Sequence, residues 1–390
     1  MNVKLVFAVK RCMRVALRAL RVFPVKRNRV VFISYEGQRY ACNPKYVSEY
    51  LQRAYPGEWE IIWVLDHPER YSALKDQGIR IVKNDSLAFM KAVMTAGAVV
   101  SNNGLALYFP PLRQNQCVVN TWHGGGAYKR VLGDWKKDSM EKTINSLIAS
   151  QTRWFISSSK KFSEVMAKAA SISLDKVMEW GMARNDILFD PPQTVVQKVH
   201  QTFGIPDGCQ IVLYAPTYRG GTTTSVEAAT LIERLDVKTC LDALKKRFGG
   251  DWTLLYRDHY FNLEQAREHQ DNAADASDYD DMQELLCAAD VLITDYSSSM
   301  WDYSFTRRPC FLYAPDRQQY QSERDFYTPI ERWPALLAQS NGELAELIEL
   351  FDEQDYARRI QEHHEELESC ETGYAAKTLG DKLYQECFGK

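Results

Sequence analysis

The groups best placed to do chemistry follow a buried run. In VVNTWHGGGAYKRVLG, residues 118–133, an apolar strand candidate ends at Trp122 and His123, followed by Gly124, Gly125 and Gly126 and then by Lys129 and Arg130. An imidazole at the carboxyl end of a strand is placed to move a proton. Glycines without a Cβ let a ligand approach the backbone closely, and the basic pair offers partners for an anion. A glycine triplet alone is an ordinary turn, and a lone histidine is more often structural than catalytic. The conjunction of strand, Trp-His, three glycines and two cations is what points to a site.

A second constellation is VLITDYSSSMWD, residues 291–302, where a strand runs into Asp295, three serines and a helical stretch. Hydroxyls and unsatisfied N–H groups at a helix start accept anions, and a diphosphate fits there on Ser297 and Ser298. An ordinary cap needs only one serine. Asp302 lies four residues beyond Ser298, one turn deeper on the same face, and can accept hydrogen bonds from ligand hydroxyls. Three shorter signals end other strands or close the first half of the chain: YAPTYR with Pro216, Thr217 and Arg219; YRDH with Arg257, Asp258 and His259; and Arg184-Asn185-Asp186. They bring Arg184, Arg219 and Arg257 toward the proposed diphosphate, as phosphate recognition favours.

No His, Asp, Glu and Cys cluster has metal-ligand spacing, and neither a GxxxxGK[ST] loop nor a GxGxxG fingerprint occurs. Five aspartates lie in residues 271–281, but without the glycine and terminal glutamate of a calcium loop they read as a solvated acidic segment.

Alternating strands and helices must position these groups. Short β-branched or apolar runs at 29–34, 60–65, 80–82, 98–101 and 117–120 alternate with helical stretches at 45–54, 71–77 and 87–95, and a further helix near 160–170 follows. This is the pattern of a doubly wound α/β domain. The series restarts after Asp190-Pro191-Pro192, with strands expected at 210–214, 252–256, 291–294 and 310–313 and helices near 225–248, 282–288 and 298–306. The charged tail from residue 343 reads as helices that can return over the first domain. Two such sheets facing each other place a cleft at their strand ends, where open α/β sheets bind ligands. The expected divisions are 1–28, 29–190, 191–370 and a C-terminal helix at 371–390.

Charge is unevenly divided. The chain has 390 residues and a net charge of −3, yet its first 29 residues carry nine Lys or Arg and no acid, leaving the remainder at net −12. An acidic body with a basic head argues against nucleic acid as a partner. On a helix, Lys4, Lys10, Arg11, Arg14, Arg18 and Arg21 form one stripe opposite Leu5, Val6, Val9, Cys12, Met13, Ala16, Leu17, Leu20 and Phe23, and Pro24 ends the run. A cationic stripe beside an apolar face suits the headgroup region of an anionic leaflet. The alternative is a helix packed on the protein with its basic face in water. No run approaches 18 apolar residues, and nine scattered cysteines without a CxxC pair read as free thiols in a reducing compartment.

In this order, the motifs VVFISYEGQRYACNPKYVSEYL, TWHGGGAYKRVLG, GMARNDILF, YAPTYR, YRDH, TDYSSSMWDY and RPCFLYAPDRQQYQSERDFYTP resemble the CDP-glycerol glycerophosphotransferase family, whose members make teichoic acid and related capsule polymers. The resemblance covers nearly the whole body and is closest to the shorter, primase-like members. It implies a GT-B-like fold of two doubly wound, Rossmann-like domains facing a cleft, an N-terminal domain for the acceptor and a C-terminal domain for a CDP-polyol donor. Donor contacts are then expected at Trp122, His123, Gly124, Gly125, Gly126, Arg184, Pro216, Thr217, Arg257, Asp258, His259, Ser297, Ser298 and Asp302, with Arg219 and Lys129 as further phosphate contacts. Where the family usually has Thr-Pro-Leu-Lys after the first glycine, this chain has Gly-Gly-Ala-Tyr-Lys. That departure lies beside the expected reaction centre.

The implied reaction is attack by an acceptor hydroxyl on the phosphorus bearing the polyol, with loss of CMP. His123 and His259 are the expected catalytic residues: His123 as base, and His259 with Arg257 and the serine helix start as stabilisers of the leaving group. A protein-bound metal is not required, and Mg²⁺ can assist. The expected partners are CDP-glycerol or CDP-ribitol, a lipid-linked glycan or polyol-phosphate acceptor, and an anionic membrane on its cytoplasmic face. Oligomers are compatible with such attachment. Two rival readings remain open, a GT-B glycosyltransferase using a sugar nucleotide and a non-enzymatic membrane-bound scaffold.

Overall fold

A computed structural model describes residues 12–135, 139–217, 235–257 and 273–389. Lys4, Lys10, Arg11, Arg219, Asp258 and His259 lie outside these segments. The chain forms two compact units, one from 1–123, 131–186 and 369–390, the other from 124–130 and 187–368. The division therefore falls at Asp186/Ile187 rather than after Asp190, and Gly124–Arg130, expected in the first domain, belongs with the second.

In the first unit the strands are β1 (Lys26–Ile33), β2 (Glu60–Leu65), β3 (Arg80–Lys83), β4 (Ala96–Ser101), β5 (Cys117–Asn120), β6 (Trp154–Ile156) and β7 (Val177–Met178). They form a parallel sheet in the order 3-2-1-4-5-6-7. The hydrophobic runs of β1, β2 and β4 are buried almost throughout, as parallel strands covered on both faces must be. Helix α1 (Cys42–Ala54) follows β1 and α2 (Leu87–Thr95) precedes β4, with Ser86 capping α2 through Phe89 N. α3 (Lys160–Ala169) is capped in the same way by Ser159.

The second unit repeats the plan with β8 (Gln210–Tyr214), β9 (Trp252–Tyr256), β10 (Ala273–Asp275), β11 (Val291–Thr294), β12 (Cys310–Tyr313) and β13 (Leu336–Ala338). Its order, 10-9-8-11-12-13, is that of a six-stranded doubly wound sheet. Around it lie α4 (Gln193–Phe203), α5 (Val237–Phe248), α6 (Met282–Ala288), α7 (Ser299–Ser304), α8 (Asn341–Glu349) and α9 (Glu353–Glu366). The last helix, α10 (Ala375–Phe388), packs on α1 in the first unit, its first turn held by the Asp186 carboxylate through Ala375 N and Ala376 N at 2.9 and 2.8 Å. Each unit is thus doubly wound α/β, the GT-B-like class.

Two expectations change. The segment read as solvated and acidic contains β10, and within it Asp281 is buried and caps α6 through Gln283 N at 3.1 Å. Asp275 likewise accepts from Ser277 N at 2.9 Å in the turn between β10 and α6. The basic head is also partly absorbed. β1 starts at Lys26, and Lys26 and Arg29 both pair with Glu60, at 3.3 and 2.9 Å. Residues 12–16 are helical and continue as a 3-10 helix over Leu17–Val22. Met13, Leu17 and Leu20, expected to face lipid, pack instead into the first unit's core beside Val93 and Phe109. Arg18 and Arg21 remain exposed, together with Val15 (61% exposed) and Val22 (81%).

Two histidines, His363 buried and His364 half-buried, give the second unit an acid-sensitive core. Tyr128 Oη is hydrogen-bonded to His363 Nε2 at 2.9 Å, and burial pushes the phenol pKa far up, so it keeps its proton. Ser304 Oγ donates to the Trp301 carbonyl and accepts from His364 Nε2 at 2.7 Å. Burial lowers both imidazoles from 6.5 to about 4, with the neighbouring His364 adding to the shift at His363 and Arg307 to that at His364. As pH falls, the unfolded chain therefore binds these protons first. Their contribution is complete above pH ~6.5 and is lost between 6.5 and 4, at about 3 kcal/mol per histidine. Urea unfolding at stepped pH should show this loss, and it should shrink in H363Q and H364Q, whose amides can replace the neutral imidazoles' hydrogen bonds. An unchanged pH slope in both variants would assign the acid lability elsewhere.

Candidate active site

In a parallel sheet, the loops that leave the two strands flanking a reversal of strand order diverge, and ligands bind at the carboxyl edge where they part. In the first unit the reversal lies between β1 and β4. β1 continues into Ser34 and Tyr35, and β4 into Asn102. Asn102 is fully buried and links the two loops: its Oδ1 accepts from Tyr35 N at 2.8 Å and its Nδ2 reaches Ser34 Oγ at 3.4 Å.

His123 stands against this junction. Its Nδ1 is 3.0 Å from the Asn102 carbonyl oxygen. A carbonyl only accepts, so Nδ1 carries the proton and the lone pair is on Nε2, the form that a general base requires. The exposed ring stacks on Trp122, with centroids 4.6 Å apart, and Tyr35 lies 6.1 Å away. Arg184 joins the same cluster from the end of the unit, 2% exposed, with its backbone N–H on Asn43 Oδ1 at 3.0 Å and Nη1 3.9 Å from Cys42 Sγ. Thus Trp122, His123 and Arg184 share one neighbourhood, reached from 62 residues apart in sequence at its widest.

In the second unit the order reverses between β8 and β11, and the same logic applies. Pro216 and Thr217 leave β8, and Asp295 leaves β11. The buried Asp295 carboxylate spans the junction, accepting from Thr217 N at 2.8 Å and from Tyr296 N. Ser297 and Ser298 follow, both half-buried. Ser298 is the boundary residue of α7, but the capping oxygen is Ser297 Oγ, which accepts from Ser299 N at 3.2 Å. Arg257 stands at the end of β9, its backbone N–H on Tyr214 O and its Nη1 donating to Tyr279 O at 2.6 Å and Ala276 O at 3.3 Å. Asp302 is 4% exposed and accepts from Gln283 Nε2 at 3.1 Å.

The glycine run is part of this second unit. An added Cβ at Gly125 would lie 2.5 Å from Trp301 Cδ1, and one at Gly126, whose φ is +76°, would meet the Tyr128 ring at 2.4 Å. The segment then bridges antiparallel to 325–328: Lys129 pairs with Phe326, and Tyr327 N donates to Tyr128 O at 2.7 Å. Arg130 pairs with Asp325 at 2.8 Å. Gly125-Gly126-Ala127-Tyr128 is therefore a packed wall against Trp301 and Trp333 rather than a mobile loop.

Asn43, Asn102, Tyr35 and Asp295 do as much to build these edges as any residue singled out by motif. Asn43 was visible only within an Asn-Pro-Lys motif and Asp295 only as the end of a strand. Nothing in the local sequence marks Asn102. Among the described residues, no group of three or more His, Cys, Asp or Glu side chains is arranged to hold a metal ion. A cavity of about 320 Å³ opens at the other, amino-terminal edge of the second sheet, beside Asp290, Arg307 and Arg308.

Comparison with known proteins agrees with this architecture. A profile of the family described as CDP-Glycerol:Poly(glycerophosphate) glycerophosphotransferase matches residues 15–385. The chain is 30% identical over 377 residues to a teichoic acid poly(glycerol phosphate) polymerase of Staphylococcus epidermidis, covering 93% of this chain and 51% of that protein. It is 25% identical to a teichoic acid glycerol-phosphate transferase of Staphylococcus aureus, covering 92% and 93% of the two chains. A solved structure of the wall teichoic acid polymerase TagF, in a variant soaked with CDPG, superposes with a TM-score of 0.82 at 26% identity over 99% of this chain and 95% of that one. The chain spans about half the length of the two poly(glycerol phosphate) polymerases of Staphylococcus epidermidis and Bacillus subtilis that it matches, 51% and 45%.

The Gly125 contact is directly testable. Trp301 is fully buried, with Phe305 and His364 edge-on to its ring, so it has little room to yield to a methyl group. Gly125→Ala should cost about 1–3 kcal/mol in chemical denaturation, as overpacking does. In a W301F background the penalty should shrink, giving a coupling energy in the double-mutant cycle. Additive effects would show that Gly125 and Trp301 do not press on each other.

Proposed function

The chain belongs to the CDP-glycerol:poly(glycerophosphate) glycerophosphotransferase family, and on that footing we propose that it transfers glycerol phosphate, or a related polyol phosphate, from a CDP-polyol to a hydroxyl of a membrane-associated acceptor. The observation that carries this reading is His123, exposed at the strand-order reversal with its Nδ1 proton committed to the Asn102 carbonyl. The acceptor oxygen attacks the phosphorus bearing the polyol while its proton passes to His123 Nε2. The P–O bond to CMP breaks, and CMP leaves with the electron pair. Such transfers depend mainly on positioning and on charge stabilisation.

We assign the donor diphosphate to the carboxyl edge of the second unit, on the side chains of Thr217, Ser297, Ser298 and Arg257 beside Pro216; Arg219, Asp258 and His259, which lie outside the described residues, are proposed as further contacts. Lys129, in the same unit, adds positive charge. Asp302, whose carboxylate accepts from Gln283, is proposed to serve the hydroxyls of the polyol or ribose. Purified protein should release CMP from CDP-glycerol or CDP-ribitol when given a lipid-linked acceptor. H123A should lower kcat by roughly 10²- to 10⁴-fold with the donor KM little changed. Release of UDP from a sugar nucleotide instead would favour a glycosyltransferase. No turnover with any donor, together with retained binding to envelope proteins, would favour a scaffold.

Attachment to an anionic membrane is the second part of the proposal. It is supported by the outward placement of Arg18 and Arg21 beside the exposed Val15 and Val22, at the end of a segment carrying nine cations and no acid. Charge attraction to headgroups is screened by salt. The fraction that pellets with phosphatidylglycerol vesicles should therefore fall as salt rises, and R18E/R21E should lower it further without altering the core-facing Met13, Leu17 and Leu20. Equal pelleting of variant and parent at all salt concentrations would move the contact to another surface.

A further inference from the structure

The proposed reaction leaves Asn43 without a role, although its side-chain amide is bonded through both its nitrogen and its oxygen. The side chain is 1% exposed in the first turn of α1. Its Nδ2 donates to the Trp122 carbonyl at 3.0 Å and to the Thr121 carbonyl at 3.3 Å, and its Oδ1 accepts from Arg184 N at 3.0 Å. Two carbonyls on one side require a donor and an N–H on the other requires an acceptor, so the orientation of the amide is determined by its partners. Aspartate keeps the acceptor and loses the donors. A hydrophobic residue loses both.

The residue it grips is unusual. Trp122 has φ +53°, a left-handed conformation that bulky side chains rarely adopt. Its N–H is held by Asn120 Oδ1 at 3.0 Å and its carbonyl by Asn43. The peptide that leads into His123 is therefore clamped at both ends. That clamp turns the imidazole toward the Asn102 carbonyl and lays it on the Trp122 ring. Cys42, one residue before Asn43, also has a positive φ of +62°, which sets the direction of the first turn of α1.

We infer that Asn43 is a positioning residue for His123: by holding the Trp122 backbone in its left-handed conformation, its carboxamide keeps Nδ1–H on the Asn102 carbonyl and the Nε2 lone pair available to the acceptor hydroxyl. This rests on the reading of His123 as the general base. Without the amide, Trp122 relaxes toward ordinary backbone angles and the ring swings off Asn102. The imidazole then returns to the solution mixture in which Nε2–H predominates, and the base is lost without any change to a donor-binding group.

The test compares wild type, N43A and N43S in the full chain, using ¹⁵N-histidine labelling and steady-state CMP release from CDP-glycerol. Of the seven histidines, the His123 resonances are assigned by their absence in H123Q. Wild type should show the Nδ1–H tautomer at His123. N43A should shift it toward Nε2–H and lower kcat about 100-fold, with the donor KM within about twofold. N43S, whose hydroxyl can still donate to one carbonyl, should fall between, and it is the variant to read if N43A does not fold. Retention of the Nδ1–H tautomer in the folded variants would overturn the inference whatever happens to the rate, as would a shifted tautomer with an unchanged kcat. If wild type itself releases no CMP, the assigned reaction fails, while the tautomer comparison still decides what Asn43 does.

Discussion

Reversing the strand order at the middle of a parallel sheet forces two loops to part, and the peptide groups they expose at the carboxyl edge must find partners other than neighbouring strands. Both units of this chain meet that constraint with a single buried side chain. In the first, Asn102 offers Oδ1 to the loop after β1 and its own carbonyl to His123. In the second, Asp295 offers one carboxylate oxygen to the loop after β8 and to the peptide following itself. The choice of side chain follows from what must be bonded. The first edge has both donors and acceptors to satisfy and uses an amide; the bonds recorded at the second are to backbone donors and it uses a carboxylate.

The carboxyl edge of the first sheet also carries much of that unit's backbone strain. Tyr35, Glu36, Cys42, Asp85 and Trp122, none of them glycine, all have φ between +46° and +62°. Each stands in a connection leaving β1, β3 or β5. At about 1–3 kcal/mol apiece, such conformations are a large charge against a net stability of roughly 5–15 kcal/mol. Three of them are held by side-chain amides: Tyr35 by the buried Asn102, Glu36 through its carbonyl by the half-buried Asn84, and Trp122 by the buried Asn43 and Asn120. Concentration of strain and of buried amides at one sheet edge is the mark of a preorganised site.

What the sequence revealed and what it hid follow from the range of the interactions. Doubly wound domains were legible because each buried strand announces itself over four to six contiguous residues, and His123 and Thr217 because they end such runs. The short β6, β7, β10 and β13 lack that contiguous signal, and β10 hid in an aspartate-rich segment in which Asp275 serves a turn and Asp281 a cap. Asn102 reads locally as a turn residue, since only the fold brings it beside His123. The N-terminal amphipathic pattern was real, but a hydrophobic face does not say what covers it. Here Met13, Leu17 and Leu20 are covered by the core of the first unit.

The departure Gly-Gly-Ala-Tyr from the family's usual run after His123 follows from the same kind of distant partner. Gly125 touches the indole of Trp301, 176 residues later, and Tyr128 reaches His363, 235 residues later. A large indole on one side of the contact requires the smallest residue on the other, so the second glycine is the complement of Trp301. A buried phenol needs a hydrogen-bond partner, and His363 supplies it while neutral. Substitutions at either end therefore act on the packing of the second unit. Through the chain that joins Gly124 to His123, they also act on the position of the residue that we take to be the base. The unusual tetrapeptide is thus first of all a solution to the volume of Trp301.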